Sequence, residues 1–382
     1  MQYRMLGRTG LRVSEIGMGC EGFYEEDTAM AGKLLNLAEE AGINYFDLYS
    51  PNPDLRRAVG KALKGRREKF FIQAHLSSIW KNGQYLRTRN LQEVQQGFAD
   101  LLQQLDVDYI DVGMIHYCDA LQDWDTIVHN GVLDYARSLK EAGKIHHIGL
   151  SSHNPVVARK AVESGLIEVL LFSINPCYDL QPPDEDVEKI WSDDAYSHPL
   201  LNMDPDRQRL YELCAERGVG ITVMKAFGGG DLLDASLSPA KVALTVPQCL
   251  SYALSRPAVA TVCCGVHSTK ELQDCLSYET LPESQRDFAE ALASFPTISW
   301  HGHCMYCNHC LPCPQHINIA EVTKFYHLTV AEGTVPETVR EHYKVLEHHA
   351  GDCIQCGACE KRCPFGVAIR ENMRNAKQTF GY

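Results

Sequence analysis

The sequence predicts an α/β protein in two parts. Residues 1–297 read as a closed (β/α)8 barrel, the TIM-barrel fold, and residues 298–382 as a smaller, mostly helical, cysteine-rich domain. Two patterns carry this reading. Between residue 14 and about residue 295, short apolar runs rich in Val, Ile and Phe alternate with segments whose apolar residues recur at i, i+3 and i+4. After residue 303 the alternation stops and eight of the chain's 16 cysteines cluster. A length of 382 residues suits one large domain plus a small one.

Each element follows from its own stretch. YRMLGRTGLRVSEI reads as a hairpin turning at Arg8-Thr9-Gly10. The strand runs are, in order, SEIGMGC, INYFDLY, KFFIQAHLS, YIDVGMIHYC, IHHIGLSSH, IEVLLFSINPC, GITVMKAF and AVATVCCGV. Helices such as TAMAGKLLNLAEEAG, NLQEVQQGFADLLQQL and DRQRLYELCAERG lie between them. Strands alternating with helices imply a parallel sheet. Eight such units fit a closed barrel better than an open doubly wound sheet, and no GxGxxG follows the first strand. After the sixth strand, DLQPPDEDVEKIWSDDAYSHPLLNMDPD runs on before the next helix. A long connection leaving the strand end where barrels build their sites suits a lid, and its acidic residues read as solvated. The pattern changes at PTISWHGH (296–303), where the domain boundary is placed.

Composition narrows the function classes. Hydrophobic residues at 45% and charged residues at 22% are ordinary for a globular protein. A net charge of −13 without a basic cluster argues against a nucleic-acid partner. MQYRMLGRTGLRVSEIG lacks an apolar signal-peptide core, and no apolar run approaches the roughly 20 residues that span a bilayer. A cytoplasmic protein without a membrane segment is expected. The scattered cysteines Cys20, Cys118, Cys177, Cys214, Cys249, Cys263, Cys264 and Cys275 read as small hydrophobes in a reducing compartment. Cys118 and Cys177, near strand ends, stay open as candidates.

The clustered cysteines form two runs. CMYCNHCLPCP places Cys304, Cys307, Cys310 and Cys313 before Pro314, and CIQCGACEKRCP places Cys353, Cys356, Cys359 and Cys363 before Pro364. The second matches the ferredoxin spacing C-x2-C-x2-C-x3-C-P, and the first has two residues, not three, before its last cysteine. Three thiolates on a tight turn wrap three corners of a cubane, while the fourth reaches the neighbouring cluster. Zinc sites present two C-x2-C knuckles, in which a further cysteine two residues on has no place. The expectation is a ferredoxin-like domain with two [4Fe–4S] clusters and crossed fourth ligands. His301, His303, His309 and His316 crowd the first run and are read at most as supporting groups.

On a parallel barrel, polar residues at strand C-termini are catalytic candidates. They are Asp47 and Tyr49, His75, His116, Ser151 to Asn154, Asn175 and Tyr178, and Lys225, from six strands. Asp47, His75 and His116 interrupt apolar runs on consecutive strands. A buried carboxylate beside imidazoles makes a proton-transfer set, each perturbing the other's pKa.

LGRTGLRVSEIGMG, GINYFDLY, GKALKGRREKFFI, DYIDVGMIH, GKIHHIGLSSH and GVGITVMKAFGGG together resemble the aldo/keto reductases, and the cysteine-rich tail resembles their branch with a ferredoxin-like 4Fe-4S domain. The resemblance covers nearly the whole chain. It implies an NAD(P)H-binding barrel whose nicotinamide lies across the strand C-termini. Of the Asp, Tyr, Lys and His tetrad it implies, Asp47 in YFDLY and His116 in GMIHY match. The lysine position holds His75, and the tyrosine position holds Asn52, with Tyr49 the nearest phenol. Both departures fall on the proton donor and the cation that acidifies it. General acid–base help is worth ~10²–10⁴ in rate, so the change is mechanistic. His75, able to be cationic near neutral pH, either replaces the lysine or acts as the acid itself.

For the cofactor, the resemblance assigns Ser151 to the carboxamide, with Ser152 in place of the usual asparagine. Lys225, Gly228 and Gly229, in KAFGGGD, are assigned to the pyrophosphate, and Gly265, Ser268 and Lys270, in GVHSTKELQD, to the nucleotide phosphate at a helix N-terminus. Glu271 stands where an arginine is often found, a slight lean towards NADH over NADPH.

Three functions remain. The first is a nicotinamide-dependent oxidoreductase of aldo/keto type acting on a polar carbonyl or alcohol, with an altered proton relay and structural clusters. The second uses the clusters as a wire from a ferredoxin or other redox protein into the barrel. The third is a barrel that only binds a nucleotide or a partner. A hydride carries an electron pair and a cubane takes one electron, so direct exchange needs a flavin, for which no motif is found.

Overall fold

The computed structural model describes residues 1–20, 22–23, 28–196, 200–293, 298–299, 302, 304–332 and 334–382. The N-terminal hairpin pairs β1 (Tyr3–Met5) with β2 (Arg12–Ser14), Tyr3 opposite Ser14. Its Leu6 and Val13 enter the barrel interior with Tyr45, Val112, Val169 and Ala260. Arg8 donates to the Arg217 and Ile167 carbonyls at 2.6 and 3.0 Å. The hairpin therefore plugs the end where the strands begin.

All eight expected strands form. They are β3 (Ile16–Gly19), β4 (Tyr45–Leu48) and β5 (Phe71–His75), and, after a hairpin of β6 (Ser78–Lys81) and β7 (Gln84–Arg87), β8 (Ile110–Ile115), β9 (Ile145–Ser152) and β10 (Val169–Ser173). Past a short β11 (Leu200–Leu201) come β12 (Gly220–Met224), β13 (Val259–Gly265) and a short β14 (Ile298–Ser299). β3, β4, β5, β8, β9, β10, β12 and β13 close in that order into a parallel barrel. Helices cover the outside and side chains fill the inside, so the strands are buried on both faces and read as nearly continuous apolar runs. The register sets Asp47 beside Gln73 and His75 beside Met114, which gathers the polar interruptions at one end.

The sequence reading missed the β6–β7 hairpin. It turns at Asn82 and Gly83, both left-handed (φ 55° and 74°), the backbone of a two-residue type I′ turn. The long connection after β10 is not structureless. It holds short 3-10 turns at Tyr178–Leu180, Lys189–Trp191 and Asp193–Tyr196, and β11 pairs in parallel with β14 of the interdomain segment.

The tail packs helices Ile319–Glu332, Glu337–Lys344, Ala358–Arg362 and Ile369–Phe380. The last buries Ile369, Met373, Ala376 and Phe380, spaced i, i+4, i+7, i+11, and Phe380 stacks on Tyr343 at 3.9 Å. The tail meets the barrel at the rim where β13 begins. Buried Arg256 donates to the Met305 carbonyl at 2.9 Å, and His309 Nε2 lies 2.6 Å from Asp287. The expected boundary at 297/298 and the candidates His301 and His303 fall on or against residues outside those described.

Candidate functional site

At the C-terminal end of the barrel, side chains from β4, β5, β7 and the end of β8 join in one chain of hydrogen bonds. Asp47 Oδ1 lies 3.1 Å from His75 Nε2 and accepts from Gln73 Nε2 at 2.6 Å. His75 Nδ1 lies 2.6 Å from His116 Nδ1, and His116 Nε2 lies 2.7 Å from the Tyr85 hydroxyl. Beneath, Gln73 Oε1 accepts from Tyr45 and Thr222, which fixes its amide with the donor towards Asp47. Asp47, His75 and His116 are buried, and Tyr85 is 43% exposed. The relay thus runs from the barrel interior to the rim.

Its proton pattern follows from the donors and acceptors. An ionised Asp47 only accepts, so His75 carries its hydrogen on Nε2 and accepts at Nδ1. His116 then carries its hydrogen on Nδ1 and accepts from Tyr85 at Nε2. One further proton reverses each bond: His75 donates from Nδ1, His116 donates from Nε2 to the Tyr85 oxygen, and the Tyr85 O–H turns to the barrel mouth. Burial first, then the charges of His75 and Arg89, hold His116 well below the ordinary imidazole value, so it passes protons and stores none at neutral pH. Burial raises the Tyr85 phenol against the pull of Arg87 and Arg89, which keeps it protonated.

Asp47, His75 and His116 are thus brought together as the sequence suggested. Tyr49 stands at the rim, 38% exposed, its carbonyl accepting from Ser78 of the new hairpin at 3.0 Å. Asn52 is committed elsewhere, its side chain capping helix Pro53–Leu63 through Asp54 N at 2.9 Å. The phenol that reaches His116 is Tyr85, which the sequence reading missed. The available signal was the Asn82-Gly83 pair between runs of alternating polarity.

The neighbouring loop is braced. Ser151 Oγ accepts from Tyr117 N at 2.7 Å, which leaves its own hydroxyl proton to donate. Tyr117 has φ 50°, an uncommon backbone for a non-glycine residue, and Arg87 lies over its ring at 4.1 Å. Ser152 donates to Asp119 at 2.9 Å, and Asp119 also accepts from His153 N and lies 2.9 Å from His153 Nδ1. Burial works against the Asp119 charge, but the His153 and Ser152 hydrogen bonds outweigh it and hold the carboxyl low. Asn175 bonds the Lys225 carbonyl, tying the ends of β10 and β12. Of the cysteines held open, burial pushes Cys118 up to about 12 and Cys177 higher, so both are inert thiols.

Two segments offer backbone for a dinucleotide. Gly228, Gly229 and Gly230 all have positive φ, and a Cβ on Gly228 would meet the Trp191 ring at 2.5 Å. Trp191, from the long connection, donates to Asp231 at 2.8 Å, so the expected lid rests on the glycine loop. Beyond Gly265, Ser268 caps helix Thr269–Leu276 through Glu271 N, and Glu271 accepts from His267 N at 2.8 Å. Lys270 pairs with Asp274 on the exposed side.

In the tail, Cys304, Cys307, Cys310 and Cys363 line one pocket. Cys353, Cys356, Cys359 and Cys313 line another. Each void takes three thiols from one run and the fourth from the other, the donor set of a cubane. Among the described residues no three such side chains converge on one point as a single ion requires. Burial pushes Cys304 and Cys310 up to about 12, so they ionise only against a bound positive charge. Arg362 locks the runs together by donating to the Cys310 and Pro312 carbonyls at 2.6 and 2.7 Å. No helix among the described residues is long and apolar enough to cross a membrane.

Comparison with known proteins agrees with both halves. The sequence model of the aldo/keto reductase family matches residues 15–248, and that of a 4Fe-4S dicluster domain matches residues 303–368. The uncharacterized oxidoreductase YqkF of Bacillus subtilis is 25% identical over 287 residues, 72% of this chain and 90% of that protein. The aldo-keto reductase YhdN of the same organism is 27% identical over 166 residues, 40% of this chain and 47% of that protein. Among solved structures, the holo form of aldo-keto reductase AKR11C1 from Bacillus halodurans superposes with a TM-score of 0.59 at 23% identity, over 75% of this chain and 94% of that one. A putative aldo-keto reductase from Pseudomonas aeruginosa gives 0.55 at 21%, over 73% and 96%. At those identities the structural likeness is one of fold.

Proposed function

The chain belongs to the aldo/keto reductase family, and on that premise we propose that it moves hydride between a nicotinamide cofactor and the carbonyl of a polar small molecule, with Tyr85 as the acid. The observation that carries this reading is the continuous bond chain Asp47–His75–His116–Tyr85, which ends in a phenol at the barrel mouth. It supplies by another route the proton delivery that the family's missing tyrosine and lysine would give.

Reduction adds a hydride to the carbonyl carbon and a proton to its oxygen. A bound reduced nicotinamide supplies the hydride. In the loaded relay, Tyr85 gives its proton to the oxygen and takes one from His116 Nε2. His116 takes one at Nδ1 from His75, and His75 takes one at Nε2 from the Asp47 side. The relay ends one proton poorer, and Asp47 ends ionised. Oxidation of an alcohol runs the same steps backwards. Ser151 suits the carboxamide with its uncommitted hydroxyl proton, and Gly228–Gly230 suit the pyrophosphate, with Trp191 as a strap. Arg87 at the mouth favours a polar substrate. Glu271 in the first turn of helix Thr269–Leu276 repels a 2′-phosphate and favours NADH.

The division at 297/298 separates this chemistry from two proposed [4Fe–4S] clusters. Cys307 lies beside Arg4 and Asp287 at the rim where β13 begins, whereas the relay lies where the strands end. β13 spans about 20 Å, and hydride transfer needs contact near 3.5 Å. Hydride therefore does not pass between the nicotinamide and the cluster at Cys307, and a wire would need a second redox group in the barrel. The test is a reduced nicotinamide carrying deuterium at its transferable position, offered with a panel of polar aldehydes and ketones. Deuterium on the product carbon with unchanged cluster absorbance is the expected result. Solvent hydrogen there, or bleaching of the clusters in step with turnover, would overturn the reading.

A further inference from the structure

The tail carries a surface that hydride chemistry does not use. Cys356, one of the thiols around the second cavity, is exposed, and neighbouring Ile354 is 59% exposed. Beside them, helix Ile369–Phe380 sets Arg370, Arg374 and Lys377 on its exposed face, at i, i+4 and i+7, and Lys361 and Arg362 extend the row from helix Ala358–Arg362. Glu360 compensates Arg370 at 2.7 Å. Arg374 donates to the neutral Gln355, and Arg362 donates to main-chain carbonyls. Residues 353–382 hold these five cations against Glu360 and Glu371, +3 before the cluster and its thiolates are counted, in a chain of −13.

We propose that this face docks an acidic one-electron carrier protein, which exchanges electrons with the cluster held by Cys313, Cys353, Cys356 and Cys359. The inference rests on that cluster being bound. One electron leaves the reduced carrier and reduces the cluster by one, or the reverse, and no atom is transferred. An apolar residue and an exposed ligand beside a row of cations suit a small, transient, electrostatically steered contact. The charge polarity selects the partner: the chain as a whole is acidic, and this row of cations favours an acidic carrier. Cys356 is exposed, whereas Cys307 of the other cavity abuts the barrel.

The test titrates cluster-loaded full-length protein into an isotope-labelled, acidic plant-type [2Fe–2S] ferredoxin and follows its shifts by NMR at low and high salt. Binding should weaken at least tenfold from about 50 to about 300 mM salt as screening sets in. K361E/K377E should weaken it about tenfold at low salt, with iron content and barrel turnover unchanged, while K33E on the barrel leaves it within twofold. Salt-independent binding, or equal binding by K361E/K377E, would overturn the proposal. So would sedimentation showing that the face instead joins two copies of this chain, with K361E/K377E releasing monomers. Iron and sulfide counts separate the failures: a missing second cluster sinks the premise, and a full complement without docking sinks the surface.

Discussion

Tyr85→Phe deletes one oxygen, the atom 2.7 Å from His116 Nε2, and keeps the ring that packs edge-on against His116. Because the side chain is 43% exposed, water can reach the vacated position. The cost in folding stability should stay near the ~1 kcal/mol of an ordinary hydrogen bond. Turnover should suffer more. Loss of a positioned acid is worth ~10²–10⁴ in rate, about 3–5 kcal/mol of barrier. The assay is steady-state oxidation of reduced nicotinamide with the best substrate of the aldehyde and ketone panel, for Tyr85→Phe and Tyr49→Phe in parallel. The expected outcome is a fall in kcat of at least a hundredfold for Tyr85→Phe with KM within about threefold, and near-native values for Tyr49→Phe. A fall below threefold for Tyr85→Phe would refute the relay, and a large fall for Tyr49→Phe alone would move the acid to that phenol. A pH profile adds a check. The phenol is raised above its ordinary value, so the native enzyme should keep its proton donor through neutral and mildly alkaline pH.

Four further outcomes follow from the geometry. His116 is held below its ordinary pKa, so the unfolded chain binds the extra proton first. Native stability should therefore fall as pH drops below about 6.5, and His116→Asn should flatten that limb in denaturant titrations. Glu271→Arg should shift the kcat/KM ratio towards NADPH by at least tenfold; no shift would remove Glu271 from the phosphate site. Asn52→Tyr, which restores the family's residue, should cost about 1 kcal/mol in urea unfolding because it removes the Asp54 cap. Cys363→Ser should deplete the cluster of the first cysteine run and Cys313→Ser that of the second, each changing its own EPR signal. Loss of signal in the mutated run itself would refute the crossed arrangement.

The sequence by itself determined the barrel and the tail. Eight apolar runs buried on both faces and separated by amphipathic helices admit few other architectures, and two cysteine runs at iron–sulfur spacing announce their donors. It also placed Asp47, His75 and His116 at strand ends, because a polar residue that ends an apolar run is visible in one dimension. The tertiary structure decided which groups meet. Tyr85 lies ten residues beyond His75, on a hairpin whose strands are short and half polar, so its periodicity was weak, and only the folding of β6–β7 over the mouth brings its hydroxyl to His116. Asn52 resembled a vacancy in the tetrad until the helix it caps was seen. The pairing of thiols across the two runs, and the seating of the tail against the barrel's N-terminal rim, depend on contacts between residues some fifty positions apart, as when Arg362 bonds the Cys310 carbonyl. Local patterns record which face of an element is buried. They do not record which distant surface buries it, and the meeting of Tyr85 with His116 and the seat of Cys307 at the opposite rim were both settled by that choice.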